Sequence, residues 1–383
     1  SLSDRLRIPG GRRKPWMIIG APLFLFSLWK IFVPGPEVSA AYLLFWSAAL
    51  YLGFTLIDLP HKAWGAEIST DYDERTRITS WREAIATAGQ VALLAGLVWL
   101  AADGIEAAST QLHFIAIAVV FILPLLLGLC VFFVQERPPE YYVHPHRNIW
   151  AGLAIVARNP AFLRMLGCVL LFVSGVAVQG TLHRLVLADV MLDEGRFSLM
   201  ILLENVGTLV AVPAWLALSV RLGKHRALMG AALWLAVWSL PLVFLREGDA
   251  NLLTAIIVIR GSSFASILFI ANSIAADVID VDTLESGEQR SGLFFAVWGM
   301  AIKLALALGV VLATVLPSLA GYLPSEVAIP LQIQGRLMLI YGALPALLMA
   351  LGALFLVRFP ITKARHDEVR YKLDALAKQS RSE

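Results

Sequence analysis

Asp58, His61 and Lys62 stand together, with Pro60 among them, inside the apolar run YLGFTLIDLPHKAW. An acid, an imidazole and an ammonium have no cheap place in a lipid-compatible helix. At a bilayer centre one charge costs from about 3 to over 10 kcal/mol, so such residues face a cavity or pair with one another. Asp58 and Lys62 are spaced i,i+4, which puts them on one helix face. Pro60 has no N–H to give the Leu56 carbonyl, so a backbone acceptor near Asp58 is left free. This grouping suits binding of a cation or a polar solute. The competing reading is a self-neutralising ion pair that only supports packing.

Other polar residues fall inside apolar runs. Arg82 opens one of them, in Trp81-Arg82-Glu83. Lys303 sits about ten residues into another, too deep to snorkel with ease; it is either functional or ion-paired. Glu204, with Asn205, and Arg260 are similarly deep, and either line a cavity or make an inter-helix pair. Gln179, His183 and Arg184 fall toward the outer end of a long run, where solute contact and an interfacial role are both open. Trp298 lies about one turn before Lys303. It either stacks on a sugar face or packs, as tryptophans of cores and aromatic belts do. Asp71, Asp73, Glu74, Arg75 and Arg77 form a dense charge cluster, read as a gate or scaffold network and not as a solute site.

The elements that must position these residues are membrane helices. Of 383 residues, 58% are hydrophobic and 15% charged, and the mean hydropathy is +0.74. Soluble domains run at about 45–50% apolar and 25% charged. Spans of about 20 apolar residues are expected at Pro15–Val33, Ala40–Trp64, Trp81–Ala102, Leu112–Val134, Ala161–Val190, Phe197–Val220, Ala227–Leu245, Leu252–Asp277, Leu293–Leu316 and Gly335–Val357. The division that follows is an N-terminal bundle at 1–134, a Pro-rich linker at 135–160, a second bundle of six helices at 161–358 and a tail at 359–383. Val369, Leu373 and Leu376 give the tail an amphipathic pattern, although a solvated tail is the favoured reading. One set of connections is basic: Arg5 to Lys14, Arg75 to Arg82, Arg137 to Arg158, Arg221 to Arg226 and the tail. The alternate set is poor in positive charge, so the basic set is expected to be cytoplasmic, with both ends of the chain inside.

The halves echo each other. RIPGGRRKPWMIIGA from Arg7 matches RLGKHRALMGA from Arg221, and AEISTDYDERTR from Ala66 matches ADVIDVDTLESGEQR from Ala276. Repeated bundles of this kind are the mark of secondary transporters. Two helices precede the second basic turn and none precedes the first. Equivalent halves would therefore imply two further helices upstream of Ser1, and twelve in all.

The stretch LSDRLRIPGGRRKPW resembles the loop signature of the major facilitator superfamily between its second and third helices. IDLPHKAWGAEISTDYDERTRITSWR and ADVIDVDTLESGEQRSGLFFAVWGMAIKLALALG resemble helix four and the helix-ten-to-eleven region of its glycoside–pentoside–hexuronide:cation symporters, a family typified by melibiose permease. The resemblance spans the chain. It implies an all-α fold of ten of twelve transmembrane helices in two bundles. It also implies that Asp58 serves both sugar and coupling cation, that Arg82 lies beside the sugar, and that Lys303 lies near the cation site. Lys62 departs from the pattern, where an aromatic residue holds the galactosyl ring.

The function expected is cation-coupled symport of a sugar, glycoside or sugar acid by alternating access. Na+ or H+ would be the coupling ion, with no other cofactor. The protein would be a monomer in a cell (inner) membrane. Asp58, Lys62, Arg82, Trp298, Lys303, Glu204, Arg260 and His183 would contact solute, and Asp58 and Lys303 would couple the cation. The three cations Lys62, Arg82 and Lys303 suit a carboxylated solute better than a neutral one. Transport of a lysolipid-like amphipath and a non-transporting scaffold or sensor are the alternatives. No Walker loop, nucleophile constellation or metal-ligand cluster stands out. That argues against an ATP-driven pump or an enzyme, and nothing points to nucleic acid. Cys130 and Cys168 each lie in an apolar run and suggest neither disulfide nor metal.

Overall fold

The computed structural model describes residues 11, 13–35, 38–69, 71–102, 108–136, 154, 156–287, 290–322 and 329–382. Most of the first basic stretch and of the Pro-rich linker therefore lies outside the described residues. Among those described, ten helical spans are long and apolar enough to cross a membrane, four before residue 134 and six after 159.

The first four are α1 (Lys14–Phe32), α2 (Ala40–Ile68), α3 (Tyr72–Ala102) and α4 (Ala108–Phe133). Ser39 caps α2 by accepting from the Tyr42 N–H at 3.1 Å. Pro60 stands inside the helix without ending it. α3 begins at Tyr72, nine residues before the expected start at Trp81, so the charged segment is itself helical. Asp71 makes this possible: its carboxylate accepts the Glu74 N–H at 2.7 Å and satisfies the first turn.

The second bundle holds α5 (Pro160–Leu185), α6 (Phe197–Leu222), α7 (Lys224–Ser239), α8 (Ala250–Gly261), α9 (Phe264–Ser286), α10 (Ser291–Leu319), α11 (Leu331–Met338) and α12 (Leu344–Leu354). α5 ends in a π-helical turn, Val186–Val190, and a second one, Leu339–Ala343, joins α11 to α12. The span expected at Leu252–Asp277 is in fact α8 and α9, broken at Ser262 and Ser263 and running on to Ser286. α6 takes up two carbonyls at the break: Thr208 Oγ1 donates to Gly261 O at 2.7 Å and Trp215 Nε1 to Ser262 O at 3.1 Å. A membrane helix can break only where neighbours satisfy its backbone in this way.

The main apolar core lies in the second bundle, around Phe162, Phe172, Phe269, Phe294 and Trp298. The bundles meet along α2 with α10, and along α3 with α6 and α9. The tail forms α13 (Lys363–Ser382). It docks, contrary to the solvated reading: Val369 and Leu373 are buried, while Leu376 is exposed. Burying that apolar pair, with His366 beside it, gives the tail a reason to stay on the protein.

Candidate functional site

On α2, Lys62 Nζ lies 2.8 Å from Asp58 Oδ2, the pair that their spacing predicts. Both side chains stay partly open at 22% exposure. Arg82 reaches α2 from α3, and its Nη1 would lie 3.7 Å from a Cβ placed on Gly65. Its Nη2 is held by Glu83 Oε1 at 3.0 Å. Lys62 and Arg82 then line one cavity with Arg75, Thr79, Asn272, Ser273 and Phe295. Three cations, with no carboxylate among the lining residues, border polar groups from both bundles. The Asn272 Oδ1 is buried with no hydrogen-bond partner. The free volume, about 10 Å³, is room for roughly one water.

Lys303 does not join that group. It is exposed on α10, with its Nζ 5.7 Å from the Tyr51 ring centroid. Tyr51 precedes Asp58 by seven residues, about 10 Å along α2. α10 meets α2 near this level, since Gly299 packs on Leu59. Trp298 is 2% exposed in the core, its ring tilted on Phe162 at 6.4 Å. In this conformation it offers no open face for a sugar, because α5 covers it.

Glu204 and Arg260 do pair, Oε1 to Nη2 at 3.0 Å. His183 is buried, with Nδ1 2.6 Å from the Tyr341 hydroxyl. These residues make an interior network of the second bundle, and none of them lines the Lys62 cavity.

The charge cluster after α2 divides by role. Arg75 crosses to the second bundle, with Nη1 2.5 Å from Asp280 Oδ2 and 3.4 Å from Asp277 Oδ1. Asp73 takes an ion pair from Lys363 of the tail. Asp71 and Glu74 serve the start of α3, where Glu74 Oε2 accepts from Ser69 Oγ at 2.5 Å. Arg77 is exposed, without an ion pair among the described residues. The hydrogen bond to Asp73 holds the Lys363 ammonium above its ordinary range.

Sequence reasoning missed the partners. Asp277 is fully buried and also holds Lys224 Nζ at 2.6 Å. That ammonium sits 3.6 Å over the Tyr72 ring. His366 of α13 brings Nε2 to 3.2 Å from Asp280. Arg13 Nη2 holds Glu67 at 2.8 Å and Ser291 Oγ at 2.9 Å. The repeat carried the signal. Glu67 and Asp277 follow Ala66 and Ala276 at matching places in the two echoing stretches, and each takes a cation from its own half's basic turn. Each pair is then tied to the other half, through Ser291 or through Arg75. Basic-loop ends of the two bundles are thus locked together.

Among the described residues, ten membrane-length spans in two bundles, closed at one end by ion pairs and carrying charges within the spans, make a polytopic membrane protein. A family described as MFS/sugar transport protein matches residues 1–363, and the chain belongs to that family. It is similar to the uncharacterized symporter sll1374 of Synechocystis sp., 26% identical over 98% of this chain and 86% of that one. It is also similar to the sphingosine-1-phosphate transporter MFSD2B of Xenopus tropicalis, 25% identical over 97% and 78%. The putative glycoside/cation symporter YagG of Escherichia coli is 22% identical over 97% and 82%. Among solved structures, the fold matches FucP, a major facilitator superfamily transporter in the outward conformation. The TM-score is 0.64 at 13% identity, over 91% of this chain and 84% of that one. These likenesses are to transporters, not enzymes.

Proposed function

We propose that the chain carries out cation-coupled symport of a sugar acid or other anionic glycoside by alternating access. The observation that carries this reading is the cavity between the bundles, lined by Lys62, Arg75 and Arg82 with Asn272 and Ser273. Guanidinium and ammonium groups in a low-dielectric cleft select carboxylate or phosphate oxygens. Asp58, paired with Lys62 at 2.8 Å, is the coupling acid. Na+ or H+ competes with Lys62 for the carboxylate and frees the ammonium for the solute. The free volume is far below that of a sugar ring, so entry requires the bundles to separate, which alternating access supplies. One charge moving through 100 mV is worth about 2.3 kcal/mol, roughly a fifty-fold accumulation. The basic-loop end is cytoplasmic, and the locked conformation faces outward.

The same cations fit the phosphate of a lysolipid, a reading favoured by the similarity to a sphingosine-1-phosphate transporter. Uptake of labelled glucuronide, galactoside and lysophospholipid into vesicles, under a Na+ or a proton gradient, separates these. Glucuronide accumulation that Asp58→Asn abolishes is the expected result. Lysophospholipid uptake alone moves the assignment to the second reading. Accumulation by Asp58→Asn equal to wild type makes the pair structural and removes Asp58 from the mechanism.

A further inference from the structure

The buried polar network of the second bundle has no part in that mechanism. Arg260 stands at the end of α8, just before the break, and is 2% exposed. Its Nη2 bonds Glu204, yet Nε and Nη1, both buried, have no hydrogen-bond partner. Close by in the bundle is the converse imbalance. Gln179 Nε2 donates to Tyr341 O at 3.3 Å, and its Oε1 is a buried acceptor with no partner. Tyr341 also holds His183. Val178 and Leu182, which flank Gln179 and His183 on α5, pack in one buried cluster with Ile256 and Ile257 of α8, just before Arg260, and with Tyr341, which places the spare donors in the neighbourhood of the spare acceptor. Glu204 is the more open member of its pair, with 17% exposure against 3% for Arg260. The carboxylate is thus the less enclosed member of the pair, and the guanidinium it holds has a second set of acceptors nearby. His183 and Tyr341 stand at or beside the two π-helical turns, distortions found often at functional sites.

We propose that Glu204 is a proton-binding site, and that its protonation hands Arg260 over to Gln179 and Tyr341. A proton from solvent adds to the Glu204 carboxylate, which becomes a neutral acid and loses its hold on Arg260. The guanidinium keeps its charge and turns to Gln179 Oε1, so no buried cation is left without an acceptor at either stage. This arrangement makes an intramembrane acid titratable at modest cost, as proton relays require. It goes beyond the reading of the Lys62 cavity and does not depend on it.

No competing charge is in hydrogen-bond contact with Glu204 among the described residues. On α3, Arg82 pairs with Glu83, Arg75 with Asp280, and Asp73 with Lys363; Glu74 bonds Ser69, and Arg77 is exposed. In the turn before α6, Glu194 pairs with Arg184 and Arg196 with Asp193. Lys224 of α7 pairs with Asp277 of α9, where Asp280 and Asp282 also have cationic partners. His225 and Arg226 stand beside Lys224 at the start of α7. On α8, Arg260 is the partner.

The test is infrared difference spectroscopy of the purified full chain in lipid, titrated from about pH 8 to pH 5, the range in which perturbed groups change charge. A protonated-carboxyl band should grow in as the pH falls and be missing from Glu204→Gln. Glu204→Asp should keep the band at a shifted frequency, which covers the case in which Glu204→Gln does not fold. Gln179→Leu removes the second acceptor. It should lower the midpoint by about one pH unit, a tenfold weaker proton affinity. A merely structural ion pair would give no such band. A spectrum of Glu204→Gln or Glu204→Asp identical to wild type, or an unmoved midpoint in Gln179→Leu, overturns the proposal.

Discussion

At the scale of single residues, spacing and surroundings carried different information. The Asp58–Lys62 pair was legible because i,i+4 spacing on a helix is a geometric fact, and the ions meet at 2.8 Å. The approach of Arg82 to Gly65 was not legible, since it depends on how α3 lies against α2; the family resemblance implied only that Arg82 lies beside the sugar. The surroundings of Trp298 were not legible, because periodicity does not say which neighbour covers a ring. Two substitutions follow. Arg82→Ala should weaken solute affinity by about ten- to a hundredfold, the worth of one charge-assisted hydrogen bond, measured by concentration dependence of uptake. Trp298→Ala should act on stability instead. Truncating a buried Trp costs about 3–5 kcal/mol, so thermal unfolding should shift down while the solute affinity of the folded fraction stays within about twofold.

Among helices, the decisive residues are the small ones at close crossings. Gly309 of α10 faces α5 so closely that an added Cβ would lie 2.4 Å from Ala177 Cβ and 2.6 Å from Ser174 O. Small residues permit such contacts in membranes, where packing rather than the hydrophobic effect joins helices. Gly309→Ala should therefore destabilise by about 1–3 kcal/mol, the cost of overpacking. Gly180→Ala, with nothing within 4 Å of its Cβ, should be neutral or slightly stabilising; parallel thermal-unfolding curves compare the two. The spans themselves were legible from apolar length, but their ends were not. α3 starts early because Asp71 caps it, and α9 runs on because its acids meet cations from other elements. The tail was misjudged for the same reason. Its amphipathic pattern was visible, while the surface awaiting Val369 and Leu373 exists only in the assembled fold.

For the whole molecule, the two echoing halves form one lock, in which Arg75 reaches both Asp277 and Asp280. Removing Arg75 leaves buried Asp280 and Asp277 short of a cation, a loss of about 3–5 kcal/mol for a broken buried pair. Arg75→Ala should shift the protein toward opening at the basic-loop end. A cysteine introduced at Ala276, beside the cavity, in a background without Cys130 and Cys168, should then label from that side about tenfold faster or more. Equal rates in both backgrounds would mean that the contacts only follow closure. The echo made the lock legible in outline, while its cross-connections depend on how the bundles meet. Arg75 joins residues 202, 205 and 291 positions further along the chain. A ribosome making this protein would thus finish both bundles before His366 can reach Arg75. Newly made chains would pass through a stage with both bundles joined through Arg75 and Arg13 but without His366, so α13 completes the clasp after the bundles have met.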